Sequence, residues 1–196
     1  MVDRSKYYGQ SENDIWQTPP ELITDLDKAL DGIDLDPCAG PNTSIGVTNY
    51  TVEDDGLSQR WHGSVFVNPP FSEKGKWLDK ATEEVTTGNA DVVVFLTPDS
   101  TDVQSWWHGK IGPHADYICF LEGRLAYVDP QTGEQLDSPP FGTALSIFGD
   151  APDELLSTLR GWGQVVKTVY NDSNRVQSGI RIPAVGKIMA SSGGSM

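Results

Sequence analysis

The run Val92-Val93-Val94-Phe95-Leu96 constrains the fold more than any other feature of the chain. A strand sends successive side chains to opposite faces, so five consecutive apolar residues describe a strand covered on both sides. That pattern predicts a central strand over Asp91 to Leu96. A sheet buried on both faces needs helices above and below it, which is the arrangement of a three-layer α/β sandwich.

The flanking sequence supplies the other layers. Leu22, Ile23, Leu26 and Leu30 recur at helical spacing, with prolines at the start and Gly32 at the end. Ile33-Asp34-Leu35-Asp36 reads as a short alternating strand that runs into Pro37-Cys38-Ala39-Gly40-Pro41, and a strand ending in an acidic residue and a Gly/Pro loop is a typical ligand-binding edge. Residues 45 to 52 are β-rich and lead to the turn Glu53-Asp54-Asp55-Gly56. A strand over Ser64 to Val67 and a helix from Lys74 to Thr86 precede the central strand. A polar stretch through Trp106 and Trp107 follows it, then a strand from Tyr117 to Leu121. Gly123 to Val128 and Thr143 to Phe148 read as a final β pair around a Pro/Gly/Asp loop, with a short helix at Leu155, Leu156 and Leu159 and an edge strand from Gln164 to Tyr170. Strands alternating with helices predict a mixed, mostly parallel sheet. The 196 residues suit one domain over 1–170, with a polar, mobile start at 1–12 and a loosely held tail at 171–196.

Asn68-Pro69-Pro70-Phe71 carries the chemistry. It follows the strand Ser64 to Val67, which presents the amide at the carboxyl edge of the sheet. Ser138-Pro139-Pro140-Phe141 has the same pattern but follows Thr-Gly-Glu-Gln-Leu-Asp, which reads as a solvated loop. An exocyclic amine on a nucleobase is a poor nucleophile because its lone pair is delocalised into the ring. Two acceptors aimed at its hydrogens, the Asn68 side-chain oxygen and the Pro69 carbonyl, draw it toward tetrahedral geometry and stabilise the developing positive charge. The Pro-Pro step stiffens the backbone and so fixes the carbonyl direction. Phe71 is placed to stack on a base turned out of its helix. These features suit methylation of an amino group.

Charge pulls the other way. The chain has 14 Lys+Arg against 28 Asp+Glu, a net charge of −14, whereas nucleic-acid binders are ordinarily basic because phosphate neutralisation drives their affinity. At molar salt the Debye length shrinks to about 3 Å and the repulsion fades, so the composition suggests a halophilic host. No apolar run approaches the roughly 20 residues that cross a bilayer, and the first residues lack the apolar stretch of a signal peptide, so a soluble cytoplasmic protein is expected, with no membrane partner. Cys38 and Cys119 lie far apart, and His62, His108 and His114 show no metal-ligand spacing, which leaves no metal site and two free thiols.

Taken together, Asp14-Ile15-Trp16-Gln17-Thr18-Pro19, Leu35-Asp36-Pro37-Cys38-Ala39, Asp54-Asp55-Gly56-Leu57 with Trp61, Val67-Asn68-Pro69-Pro70-Phe71 and Gly123-Arg124-Leu125 followed by Pro140-Phe141 resemble the phage-type DNA N6-adenine methyltransferases, the Dam family, over about residues 12 to 150. The resemblance implies a Rossmann-like fold dependent on S-adenosylmethionine, with double-stranded DNA as partner and adenine N6 as the methyl acceptor. It further implies that Trp16, Thr18 and Pro19 help close the cofactor pocket, a core anchor near the helix start being the other reading of Trp16, and that Asp36, Pro37 and Cys38 form the loop beside the methionine part. Asp55 or Asp54 would accept the cofactor's adenine amine. The loop Asp-Pro-Cys-Ala-Gly departs from the Gly-x-Gly turn of methyltransferases at large, and Cys38 itself reads as a small packing residue rather than a nucleophile. Residues 99–116 and 129–141, with Arg124, Lys110 and the Trp106-Trp107 pair, are the segments available for reading DNA, each of these residues reading first as solvated loop or core. The tetrapeptide serves a cytosine N4 amine equally well, and a silent nucleic-acid or partner-binding module of the same fold is the alternative from another class. The oligomeric state is open.

Overall fold

A computed structural model describes residues 16–40, 43–129, 132–135, 139 and 141–169; the expected mobile start at 1–12 and the tail at 171–196 lie outside them. The described elements in chain order are α1 (Pro20–Ala29), β1 (Leu35–Asp36), β2 (Thr48–Asn49), β3 (Gly63–Val67), α2 (Lys74–Thr86) and β4 (Ala90–Pro98), then a π-helical segment (Gln104–Ile111), α3 (Gly112–His114), β5 (Tyr117–Leu121), β6 (Thr143–Gly149), α4 (Asp153–Trp162) and β7 (Gly163–Lys167). The strands form one seven-stranded sheet in the order β2-β1-β3-β4-β6-β5-β7.

β4 is the centre that its composition predicts. Val92, Val94 and Leu96 point into a core shared with Leu22 and Leu26 of α1 and Leu155 and Leu159 of α4. Val93 and Phe95 point the other way, against Trp77, Leu78 and Ala81 of α2 and against Trp106, Trp107 and Ile111. The three layers are therefore present. The first helix starts with Pro20 in its first turn and buries Leu22, Leu26 and Ala29. It stops where Asp31 and Gly32 turn left-handed, with φ of 56° and 110°.

The sheet is mixed more evenly than expected. The ladders β2–β1, β1–β3 and β3–β4 are parallel, but β4–β6, β6–β5 and β5–β7 are antiparallel. A parallel pair needs a crossover, usually a helix. Among the described residues no helix lies between Leu121 and Thr143, and β6 inserts antiparallel between β4 and β5. Gly123 to Val128 does not pair with β6, contrary to expectation; Val128 instead makes single bridges to Gln17 and Gln135. The β-rich residues 45 to 52 contribute only Thr48–Asn49, and the expected strand at Ile33–Asp36 shortens to Leu35–Asp36. The stretch through Trp106 and Trp107 is π-helical, and both rings are buried against the sheet, which makes them core rather than DNA-reading residues. No described helix is long and apolar enough to cross a membrane.

Candidate active site

β1, β3 and β4 are parallel neighbours, so Asp36, Asn68 and Asp99 all emerge at one edge of the sheet. Two successive antiparallel ladders orient β5 like β4, so the connection after Leu121 starts at that same edge. Topology alone thus gathers the loops after four strands, as ligand sites in open α/β sheets require.

Asn68 is half-buried and its amide is pinned. Nδ2 donates to the Trp16 carbonyl at 2.6 Å and to Thr18 Oγ1 at 3.1 Å. The segment carrying these acceptors is itself held, because Gln17 and Val128 exchange two backbone hydrogen bonds of 3.1 and 3.0 Å. Pro69 is buried, and a turn closes behind it through the Glu73 N–H donating to the Pro70 carbonyl at 3.0 Å. Lys74 braces the far side: its ammonium donates to the Phe71 carbonyl at 2.6 Å and lies 5.0 Å from the centre of the Trp106 ring.

Phe71 belongs to an aromatic cluster that sequence reasoning did not assemble. Its ring meets Phe141 at 5.7 Å and Tyr127 at 6.5 Å, both edge-on, while Trp16 meets Tyr127 at 5.2 Å. Tyr127 is fully buried and its hydroxyl lies 3.3 Å from Thr143 Oγ1. The second Pro-Pro-Phe is therefore no solvated loop where it is described: Pro139 and Phe141 are buried, and Phe141 packs on the first one's Phe71. Ser138 and Pro140 lie outside the described residues. Gly142 lets this chain pass, since a Cβ there would sit 2.0 Å from the Asp99 carboxylate.

The loop after β1 reaches the same place. Asp36 is buried and accepts the Cys38 N–H at 3.1 Å, and the Cys38 thiol donates to it as well. Burial raises the Asp36 carboxyl to about 6, against the opposing pull of those two bonds. The Cys38 sulfur in turn accepts the Asn68 backbone N–H, so one side chain links the loops after β1 and β3. Although part of Cys38 is accessible, burial and the neighbouring Asp36 push its thiol well above the ordinary range, which suits a packing role and not a nucleophile.

The turn at Asp54 and Asp55 docks on this loop. A Cβ on the buried Gly56 would fall 1.8 Å from the Pro37 carbonyl oxygen, and the buried Trp61 donates its indole N–H to the Gly56 carbonyl at 2.9 Å. Asp54 is committed locally: one oxygen accepts both the N–H and the hydroxyl of Thr51 at 2.8 Å, and these bonds hold its carboxyl below the usual range. That leaves Asp55, exposed like Asp54 and with a left-handed φ of 52°, as the carboxylate of the pair not tied to Thr51. Pro19 is buried and lines a cleft of about 300 Å³ with Glu21, Glu122, Arg124 and Trp162. Lys110 pairs with Asp79 across the side of α2.

The model of the DNA N-6-adenine-methyltransferase (Dam) family matches residues 6–167. The chain is also 27% identical over 175 residues to a DNA N-6-adenine-methyltransferase of Escherichia phage T1, an alignment covering 80% of this chain and 68% of that protein. Trp16, Thr18, Asp36, Asn68, Phe71, Tyr127 and Phe141 all fall within the matched span, and the chain belongs to the DNA N-6-adenine-methyltransferase (Dam) family, enzymes that methylate adenine in DNA.

Proposed function

We propose that the enzyme transfers a methyl group from S-adenosylmethionine to N6 of an adenine turned out of double-stranded DNA, with Asn68 Oδ1 and the Pro69 carbonyl accepting the hydrogens of the amine. The observation that carries this reading is the orientation of the Asn68 amide. Its NH₂ end is taken up by Trp16 and Thr18, so Oδ1 is the end presented to a substrate. An acceptor is what a reacting amine needs there, since its own hydrogens are donors. Phe71 is half-buried, and its contacts with Phe141 and Tyr127 are edge-to-face, an arrangement that supports stacking on an extruded base.

The residues at the loop after β1 fit the proposed cofactor. It is a sulfonium that also carries an ammonium, a carboxylate and an adenine amine, and to its positive and donor groups the loop offers the Asp36 carboxyl while the adjoining turn offers the exposed Asp55. Asp36, Pro37 and Cys38 would border its methionine part and Asp55 its adenine. When bound, the cofactor supplies an electrophilic methyl group on a sulfonium. The chain's own part is to hold the amine's hydrogens, orient its lone pair and keep the base stacked. The proposed place of action is the cytoplasm of the host cell.

Mass spectrometry of nucleosides from double-stranded DNA incubated with the protein and S-adenosylmethionine tests the reading. N6-methyladenine is the expected product. N4-methylcytosine in its place, or no modified nucleoside, would overturn it.

A further inference from the structure

We infer that Thr18 is a positioning residue for Asn68, its buried hydroxyl fixing the plane of the catalytic amide. The inference deepens the reading above and rests on it. An asparagine side chain has two ends of nearly equal size and opposite hydrogen-bonding character, and rotation about its terminal bond is broad. Two separate things must therefore be set, which end faces the substrate and how the plane is turned. The Trp16 carbonyl sets the first. It only accepts, so at 2.6 Å it admits the NH₂ end and repels Oδ1.

A single acceptor leaves the plane able to swing about that bond. The second hydrogen of Nδ2 goes to Thr18 Oγ1 at 3.1 Å, and two acceptors in different directions define the plane. Thr18 is suited to the task because it cannot yield. Its residue exposure is 6%, which removes competition from bulk water. It is β-branched, so its χ1 is stiff, and Pro19 behind it confines its backbone to the extended region. Gln17 before it is tied to Val128 on both its N–H and its carbonyl. The resemblance of Trp16-Gln17-Thr18-Pro19 to a cofactor-closing segment accounts for none of this. In the structure the Thr18 oxygen serves the amide that acts on the base.

The test compares Thr18→Val, which replaces the hydroxyl by a methyl of similar size, with Thr18→Ser, which keeps the oxygen. Methylation of DNA is measured at saturating cofactor, cofactor affinity by calorimetry and folding by thermal melting. Losing one buried acceptor should lower kcat of Thr18→Val by about 10- to 100-fold. The cofactor Kd and the KM for DNA should stay within about twofold, and Thr18→Ser should recover to within a few-fold of wild type. A folded Thr18→Val with kcat within about threefold of wild type would overturn the inference. So would a loss confined to cofactor affinity, because Thr18 would then serve the cofactor pocket. If Thr18→Val does not fold, Thr18→Ala removes the same oxygen without adding bulk and is judged by the same limits. Wild-type protein that leaves adenine unmodified would bring down the proposed function itself, a failure distinct from normal wild-type turnover with an indifferent Thr18→Val.

Discussion

Replacing Asp36 by Asn should make the cofactor-free protein more stable and a poorer enzyme. Burial raises the Asp36 carboxyl from an ordinary 3.8 to about 6, so the folded state holds this proton more tightly than the unfolded chain does. Ionising it therefore opposes folding, and its contribution to stability falls as pH rises from about 3.8 to about 6 and stays level above. At about 1.36 kcal/mol per pH unit the full cost is on the order of 3 kcal/mol, of which ~1.5 kcal/mol accumulates between pH 5 and 8. Asn keeps an oxygen able to accept the Cys38 N–H and never carries the charge. Urea unfolding of both proteins at pH 5 and pH 8 isolates the effect, because titrating groups not coupled to Asp36 cancel in the difference and the coupled Cys38 thiol stays protonated over this range. The advantage of Asp36→Asn should grow by about 1 to 2 kcal/mol across that range, while its affinity for S-adenosylmethionine at pH 8 falls by at least tenfold. An advantage equal at both pH values would refute the claim that burial of the ionised carboxyl limits stability. Unchanged affinity would remove Asp36 from the proposed cofactor pocket.

Gly56→Ala should cost about 1–3 kcal/mol or more, because its Cβ would collide with the rigid Pro37 backbone, and calorimetric unfolding should show the loss. The control is Gly161→Ala on the exposed side of α4, where the Cβ meets open space and the substitution should stabilise by about 0.5–1 kcal/mol; a silent Gly56→Ala would contradict the docking of the Asp54-Asp55 turn. We also propose, from the net charge of −14, that the protein comes from a halophilic setting. Melting temperature and methylation rate should then rise as potassium chloride goes from about 0.1 M toward molar, as the Debye length falls from about 10 Å to about 3 Å, and a maximum of both at the low-salt end would contradict this origin for the acidity.

The layers of the fold and the placement of Asn68-Pro69-Pro70-Phe71 at a strand end were legible in the sequence for a definite reason. Val92 to Leu96 is short, apolar and rich in β-branched residues, as a doubly covered strand is, the spacing within Lys74 to Thr86 suits one helix, and a polar Asn-Pro-Pro after an apolar β run fits a strand end. Periodicity says which face of an element is apolar, but it does not say which strand lies beside which. Neither the antiparallel insertion of β6 nor the return of Tyr127 and Phe141 to the loop Asn68–Phe71 can be read from periodicity. The signal for Phe141 was present as a second Pro-Pro-Phe, yet local context suggested a solvated loop because its partner Phe71 lies seventy positions away in number. The wiring of Asn68 to Trp16, Thr18 and Cys38 has no sequence signature at all. It depends on three segments meeting at one edge, which only the assembled sheet brings about.

The most direct test of the account is to supply S-adenosylmethionine carrying a trideuterated methyl group and follow the label into DNA with wild-type protein and with Asn68→Ala. Wild type should yield N6-trideuteromethyladenine. Asn68→Ala should keep its fold and most of its cofactor affinity while the label falls by at least the roughly 10²- to 10³-fold expected for removing one preorganised polar group. Label appearing on adenine N6 at comparable rates with both proteins would contradict the role assigned to the Asn68 amide.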